Sequence, residues 1–164
     1  MHKCGGTYKH FGIKCGIIQR LANFNYQKLK KIKLKVNVDG VQLFKSSATQ
    51  FWPILGIFEN LQPFIIALFC GSAKPDSVED YLRNFINEMQ LLKSEGIFYN
   101  DKFLSFELMA FICDAPAWQF LKCVKSHNGY FGCERCVTKG IYKHKRMLFS
   151  ECYCTLRLDE NFNA

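Results

Sequence analysis

The chain has 164 residues, 49% of them hydrophobic and sixteen of them phenylalanine, which is enough to bury a core and excludes an intrinsically disordered chain. A net charge of +8 and a pI near 9.0 favour acidic partners such as nucleic acid. No run reaches the roughly 18 apolar residues of a membrane span, which excludes a membrane partner of that kind. No cleavable leader or glycosylation sequon is found, and the nine cysteines are an odd number, with Cys70 and Cys113 inside apolar segments. Reduced thiols in the nucleus or cytoplasm, rather than a secreted disulfide framework, are the expectation.

Residues 1–30, with glycines at 5, 6, 12 and 16, read as a loop followed by a short helix around Ile17 to Asn23. From Lys31 to Asp39 the chain alternates, with Ile32, Leu34, Val36 and Val38 on one face and Lys31, Lys33, Lys35 and Asn37 on the other. Period two predicts a strand. Phe51–Phe58 and Phe64–Cys70 are two more, closely linked, which suggests an antiparallel meander. Val78, Tyr81, Leu82, Phe85, Ile86, Met89 and Leu92 then follow the spacing of one apolar helix face. Asp76 is the expected N-cap, with Glu79 completing a capping box and Gly96 ending the helix. Phe103–Asp114 is a near-continuous apolar run, expected as a central strand buried on both faces. Pro116 starts a last helix, with Trp118, Leu121 and Val124 facing inward. Three strands, a helix, a strand and a helix predict a mixed α/β sheet, the order with which a ribonuclease H-like fold begins.

Acidic residues stand at the C-terminal ends of the first and fourth of these strands. Carboxylates on adjacent strand ends can hold Mg²⁺ or Mn²⁺, which prefer oxygen ligands. Two such ions about 4 Å apart activate an attacking hydroxyl and stabilise the leaving oxygen in phosphoryl transfer. That chemistry needs a third carboxylate beyond Asp39 and Asp114. The plainer reading is that Asp39-Gly40 makes a turn and Asp114 caps the following helix. Cys133-x-x-Cys136 has the spacing of half a zinc site, with His127 before it and His144, Cys152 and Cys154 after it. A turn carrying two reduced thiols explains it equally. Lysines 28, 30, 31, 33 and 35 form one basic stripe and Lys143-His144-Lys145-Arg146 a second. Both suit a phosphate backbone, although a solvated face explains either run alone. Lys45-Ser46-Ser47 offers an amine and hydroxyls to phosphate. Trp52 and Trp118 read as core residues.

Several of these elements together resemble a known group. Val36-Asn37-Val38-Asp39-Gly40, Phe44-Lys45-Ser46-Ser47 and Gln50-Phe51-Trp52-Pro53-Ile54-Leu55 are similar to transposase-like proteins of animal genomes. So are Gly71 through Lys74-Pro75, Ile112-Cys113-Asp114-Ala115-Pro116-Ala117, and His127-Asn128-Gly129-Tyr130 leading into Gly132-Cys133-Glu134-Arg135-Cys136. More distantly, the order resembles the CACTA (EnSpm-like) DDE transposases. The resemblance covers nearly the whole chain. It implies a ribonuclease H-like fold and Mg²⁺- or Mn²⁺-dependent DNA strand cleavage and transfer. Asp39 and Asp114 match the first two catalytic acids. Cys133 and Cys136 match an insertion after the second, which is expected to be structural, with a Zn²⁺ ion also held by His127.

The implied organisation is an N-terminal loop and helix over 1–30, a partial ribonuclease H-like core over 31–125, and a Cys-containing insertion with a truncated tail over 126–164. The third acid of such enzymes lies on a helix well beyond the Cys-x-x-Cys. Glu151, Asp159 and Glu160 are present, but in a segment without helical periodicity. The expected product is therefore an inactive fragment of a transposase core. The alternative is a non-catalytic DNA- or protein-binding module kept by its host. DNA is the expected partner, touched by Lys31, Lys33, Lys35, Lys45, Lys143, Lys145 and Arg146, and self-association into a homo-oligomer is a further expectation.

Overall fold

The computed structural model describes residues 2–3, 5–43, 48–124, 128–133, 135–150 and 153–158. In chain order the elements are β1 (His2–Lys3), β2 (Gly6–His10), α1 (Ile13–Leu21), β3 (Lys31–Val38), β4 (Val41–Gln42), β5 (Gln50–Ile57) and β6 (Phe64–Gly71). They continue with α2 (Val78–Glu95), β7 (Ile97–Tyr99), β8 (Lys102–Cys113), α3 (Ala115–Leu121), β9 (Ile141–Lys143) and β10 (Arg146–Leu148). The chain divides into two compact units, Met1–Ala117 and Trp118–Ala164, with α3 running across the boundary.

The first unit is a mixed α/β sheet with the order β1-β2-β6-β5-β3-β8-β7, and β4 pairs with β5 off this path. β3, β5 and β6 form the expected antiparallel meander, and β8 joins β3 in parallel after the α2 crossover. On β3 the alternation becomes burial. Ile32, Leu34, Val36 and Val38 are fully buried, while Lys31, Lys33 and Lys35 are exposed.

α2 lies across the buried face. Tyr81 is fully buried, its hydroxyl donates to the Trp52 carbonyl at 3.2 Å, and its ring meets Tyr8 edge-on at 6.2 Å. Phe85 meets Phe111 of β8 edge-on at 5.8 Å. Trp52 is a core residue, as expected, with 7% exposure.

Several expectations change. Residues 1–30 contain a strand as well as a helix: β2 pairs with β6 from Thr7↔Cys70 to His10↔Ala67. Only Tyr8 of β2 is buried, so the sequence shows no alternation there. The helix runs from Ile13 to Leu21, earlier than Ile17 to Asn23, and takes in Gly16, where a Cβ would collide with the Phe64 ring. The N-cap of α2 is Ser77, whose hydroxyl accepts from the Asp80 amide at 3.1 Å, and not Asp76, whose carboxylate sits against Gly5. Glu79 pairs with Arg83 one turn on instead of completing a capping box. Gly96 does end α2, in a positive-φ conformation.

β8 is not buried on both faces: Phe103, Met109 and Ile112 are each more than half exposed. The helical layer covers the face that carries Leu104 and Phe106, and the opposite face stays open among the described residues. Trp118 is half-buried, with the Lys122 ammonium 4.5 Å from its ring centre, and Val124 lies beyond the helix. No helix among the described residues is long and apolar enough to cross a membrane.

Candidate metal-binding site at paired strand ends

Asp39 and Asp114 each follow the last residue of a strand, and those last residues, Val38 and Cys113, are directly paired across the parallel β3–β8 ladder. The two acids therefore leave neighbouring strands at the same level. A bulge produces this register. Leu34 faces Leu108, but Lys35 faces Ala110, so Met109 is an extra residue on β8. Without it Val38 would face Ile112, and Asp39 would stand beside Cys113 instead of Asp114. The Asn37 side-chain amide then ties the strands together just before the acids, donating to the Ile112 carbonyl at 2.7 Å.

The turn after Asp39 is tightly packed. A Cβ on Gly40 would come within 2.6 Å of the Trp52 indole, so the backbone passes over that ring only as glycine. Asp39 is half-buried and Asp114 exposed. One Asp114 oxygen accepts from the Ala117 amide at 2.8 Å and caps α3, which is the plainer role expected for it. Its second carboxylate oxygen is chemically able to serve as a ligand at the same time. The Cys113 thiol is near enough to both acids to feel their charges. Burial pushes its pKa up, and the charges of Asp114 and Asp39 push it further in the same direction. The thiol therefore stays protonated beside the two carboxylates. Sequence reasoning gave neither Asn37 nor Cys113 a role at the site; those roles are readable only once β3 and β8 are known to be neighbours.

In the second unit Cys133 and Cys136 begin a compact knuckle. The Val137 amide donates to the Thr155 carbonyl at 3.1 Å and the Arg157 amide to the Arg135 carbonyl at 2.9 Å, around an antiparallel bridge of Cys136 with Leu156. The Arg157 guanidinium holds the Cys133 and Phe131 carbonyls at 3.0 and 3.1 Å. Cys136 is 5% exposed. Its thiol accepts hydrogen bonds from Thr138, Cys133 and Cys154, which bring its pKa down to about 7.

Among the described residues no group of three or more His, Cys, Asp or Glu side chains is placed to hold a metal ion. Cys133 and Cys154 each touch Cys136 rather than a common centre. The seven described cysteines are all free thiols. No family model, no curated protein and no solved structure matches the chain.

The expected DNA contacts separate into two places. Lys31, Lys33 and Lys35 lie on the open face of β3, and Lys31 is already engaged by Glu107 of β8 at 3.1 Å. Lys143 and Arg146 end the two strands of the β9–β10 hairpin, and His144 and Lys145 form its turn, both with positive φ. His144 is thus a turn residue of the hairpin. All four are exposed. Lys45 and Ser46-Ser47, His127, Cys152, and the acids Glu151, Asp159 and Glu160 lie outside the described residues.

Proposed function

We propose that the chain is part of the catalytic core of a DDE-type DNA transposase, with a ribonuclease H-like sheet and with Asp39 and Asp114 as two of its metal-binding acids. The observation that supports this most is the level pairing of the β3 and β8 ends, set by the Met109 bulge, which brings Asp39 and Asp114 off adjacent parallel strands at the same level. The strand order β6-β5-β3-β8, with the first three antiparallel and the last parallel to β3, fits the same reading. In such a core, bound Mg²⁺ or Mn²⁺ supplies charge stabilisation for phosphoryl transfer. Asp39 and Asp114 would hold the ion, and Asn37 would keep their strands in register. A structural zinc at Cys133 and Cys136, completed with His127, belongs to the same proposal.

Two carboxylates without a third give weak metal binding and no efficient cleavage, since catalytic groups that act as a unit lose most of the rate when one is missing. The test is Mn²⁺ titration by calorimetry. Asp39→Asn and Asp114→Asn are each expected to weaken Mn²⁺ binding at least about tenfold, because each removes one of the two charged ligands. Asparagine is as good an N-cap as aspartate, so Asp114→Asn should leave the melting temperature nearly unchanged. Unchanged Mn²⁺ affinity in both variants would remove the paired-acid reading.

A non-catalytic DNA-binding module is the second reading, favoured by the exposed hairpin tip of Lys143, Lys145 and Arg146. A two-stranded ribbon fits the major groove, and each phosphate contact contributes about 0.9 to the slope of log affinity against log salt. Replacing all three by alanine is expected to flatten that slope by about 2 to 3 in a fluorescence-anisotropy titration. Binding that is insensitive to salt in the unaltered chain would exclude this reading.

A further inference from the structure

From Ser105 onward β8 is paired on one side only. Its ladder with β3 runs from Ser105 to Cys113. On the other side β7 reaches only Lys102, Phe103 and Leu104, and β7 ends the sheet. The Ser105 amide donates to the Lys30 carbonyl at 3.1 Å. Backbone groups of successive strand residues turn to opposite sides. Ser105 and Glu107 therefore face β3, while Phe106 and Leu108 turn their N–H and C=O groups outward. Among the described residues no strand meets them there. Beyond Leu108 the Met109 bulge breaks the regular spacing. An edge of this kind is a template for one more strand. A groove of about 510 Å³ opens against it, lined by Phe106, Glu107 and Leu108 of β8, Met89 and Lys93 of α2, and Lys31. Phe106, Leu108 and Met89 make its apolar wall on the α2 side. Lys31 is held by Glu107, whereas Lys93 is exposed and makes no ion pair among the described residues.

We propose that the groove between the β8 edge and α2 docks an extended, acidic segment of a partner protein, which adds to β8 as a further strand. Main-chain bonds to Phe106 and Leu108 supply the attachment, and side chains alternate between the two faces of the added strand. Those on the α2 side meet Met89, Phe106 and Leu108 and are apolar. A carboxylate on that same side meets the Lys93 ammonium, a charge-assisted pair. On the opposite side the nearest charge is Glu107, already neutralised by Lys31, so neutral residues fit there. Charge also selects the kind of partner. The chain carries a net charge of +8, so a second copy brought to the same edge is repelled and an acidic chain is attracted. The inference is independent of the acid pair and of the zinc reading, since it uses neither set of residues.

The experiment is a fluorescence-anisotropy titration of the full chain into a labelled peptide of alternating valine and threonine, with a glutamate at each end on the valine side. Hydrogen exchange on the same complex locates the contact. Binding is expected, with the Phe106 and Leu108 amides exchanging freely in the chain alone and becoming protected in the complex. Lys93→Glu, a change at an exposed position, is expected to weaken binding at least about tenfold, the effect of losing one charge-assisted bond. A peptide with lysine in place of both glutamates should bind the unaltered chain poorly and recover affinity for Lys93→Glu. The same acidic peptide, N-methylated at the amides that face β8, should not bind; this control leaves the protein unchanged. Equal binding of the methylated peptide would overturn strand addition, and equal binding of the lysine peptide to the unaltered chain would overturn the acidic partner. Protection of Phe106 and Leu108 without peptide, in a chain that sediments as a dimer, would assign the edge to a second copy and overturn the proposal. So would the absence of any binding.

Discussion

Truncating Tyr81 to alanine is expected to destabilise the first unit by roughly 3–5 kcal/mol, the range for removing a buried aromatic ring. Tyr81 is the side chain through which α2 grips the sheet. It is fully buried, meets Tyr8 of β2 edge-on, and donates its hydroxyl to the Trp52 carbonyl on β5. Burial pushes its pKa well above the ordinary phenol range, so it remains a neutral donor. Tyr81→Phe keeps the ring and loses only the hydroxyl, and should cost about 1 kcal/mol. Urea denaturation at neutral pH separates the two effects. The same ring supports the candidate site indirectly, because Trp52 lies under the Asp39-Gly40 turn. A Tyr81→Ala cost no larger than that of Tyr81→Phe would mean that α2 does not pack as described.

Glu88→Ala is the second large effect, at about 2–4 kcal/mol. α1 begins after Gly12, which has no capping side chain. The cap comes instead from α2: the Glu88 carboxylate accepts from the amides of Ile13 at 2.7 Å and Lys14 at 3.0 Å, and from His10 Nε2 at 2.7 Å. An ionised carboxylate only accepts, so His10 Nε2 is the nitrogen that donates, and among the described residues His10 Nδ1 has no partner. A negative charge at a helix N-terminus is stabilised by the helix dipole.

Burial alone would raise the Glu88 pKa, but the bonds from His10, Ile13 and Lys14 outweigh it and leave the pKa below its ordinary value. A folded-state pKa below the unfolded one adds stability above the unfolded pKa. That contribution is lost as the pH falls through the folded value. Stability should therefore drop on acidification below about pH 4.5, and Glu88→Gln should lose this part of the acid dependence. Denaturation midpoints compared between pH 7 and the acid limb check both claims. A Glu88→Ala variant as stable as the parent would show that α1 is held by its apolar contacts alone.

Much of the sheet is readable in the sequence because one-sided burial writes itself as alternation. β3 is the clearest case, with four buried aliphatic residues interleaved with polar ones. α2 is equally plain, since Tyr81, Phe85 and Leu92 repeat at helical spacing. β2 is hidden because five residues with one buried side chain make no pattern. β8 misleads in the opposite direction: its apolar run suggests two covered faces, yet Phe103, Met109 and Ile112 face the open side. The β7–β8 hairpin was missed although Asn100 and Asp101, both with positive φ, suit a two-residue turn.

The candidate site follows the same logic. Asp39 and Asp114 stand out because each ends a strand, but their alignment depends on the Met109 bulge, and no local pattern encodes which residue will be extra. The approach of Cys154 to Cys136 and the capping of α1 by Glu88 join segments distant in sequence. Hydrogen bonds of that kind leave no periodic trace, so only the fold reveals them.

The most direct test of the proposed acid pair is to locate Mn²⁺ by the paramagnetic broadening of backbone amide signals at substoichiometric metal. Broadening is predicted to concentrate at the ends of β3 and β8, around Val38, Gly40, Cys113 and Ala115, and to disappear there in Asp39→Asn. Broadening centred elsewhere, such as at Glu79 and Asp80 on α2, or spread evenly over the acidic residues, would contradict a metal site at the paired strand ends.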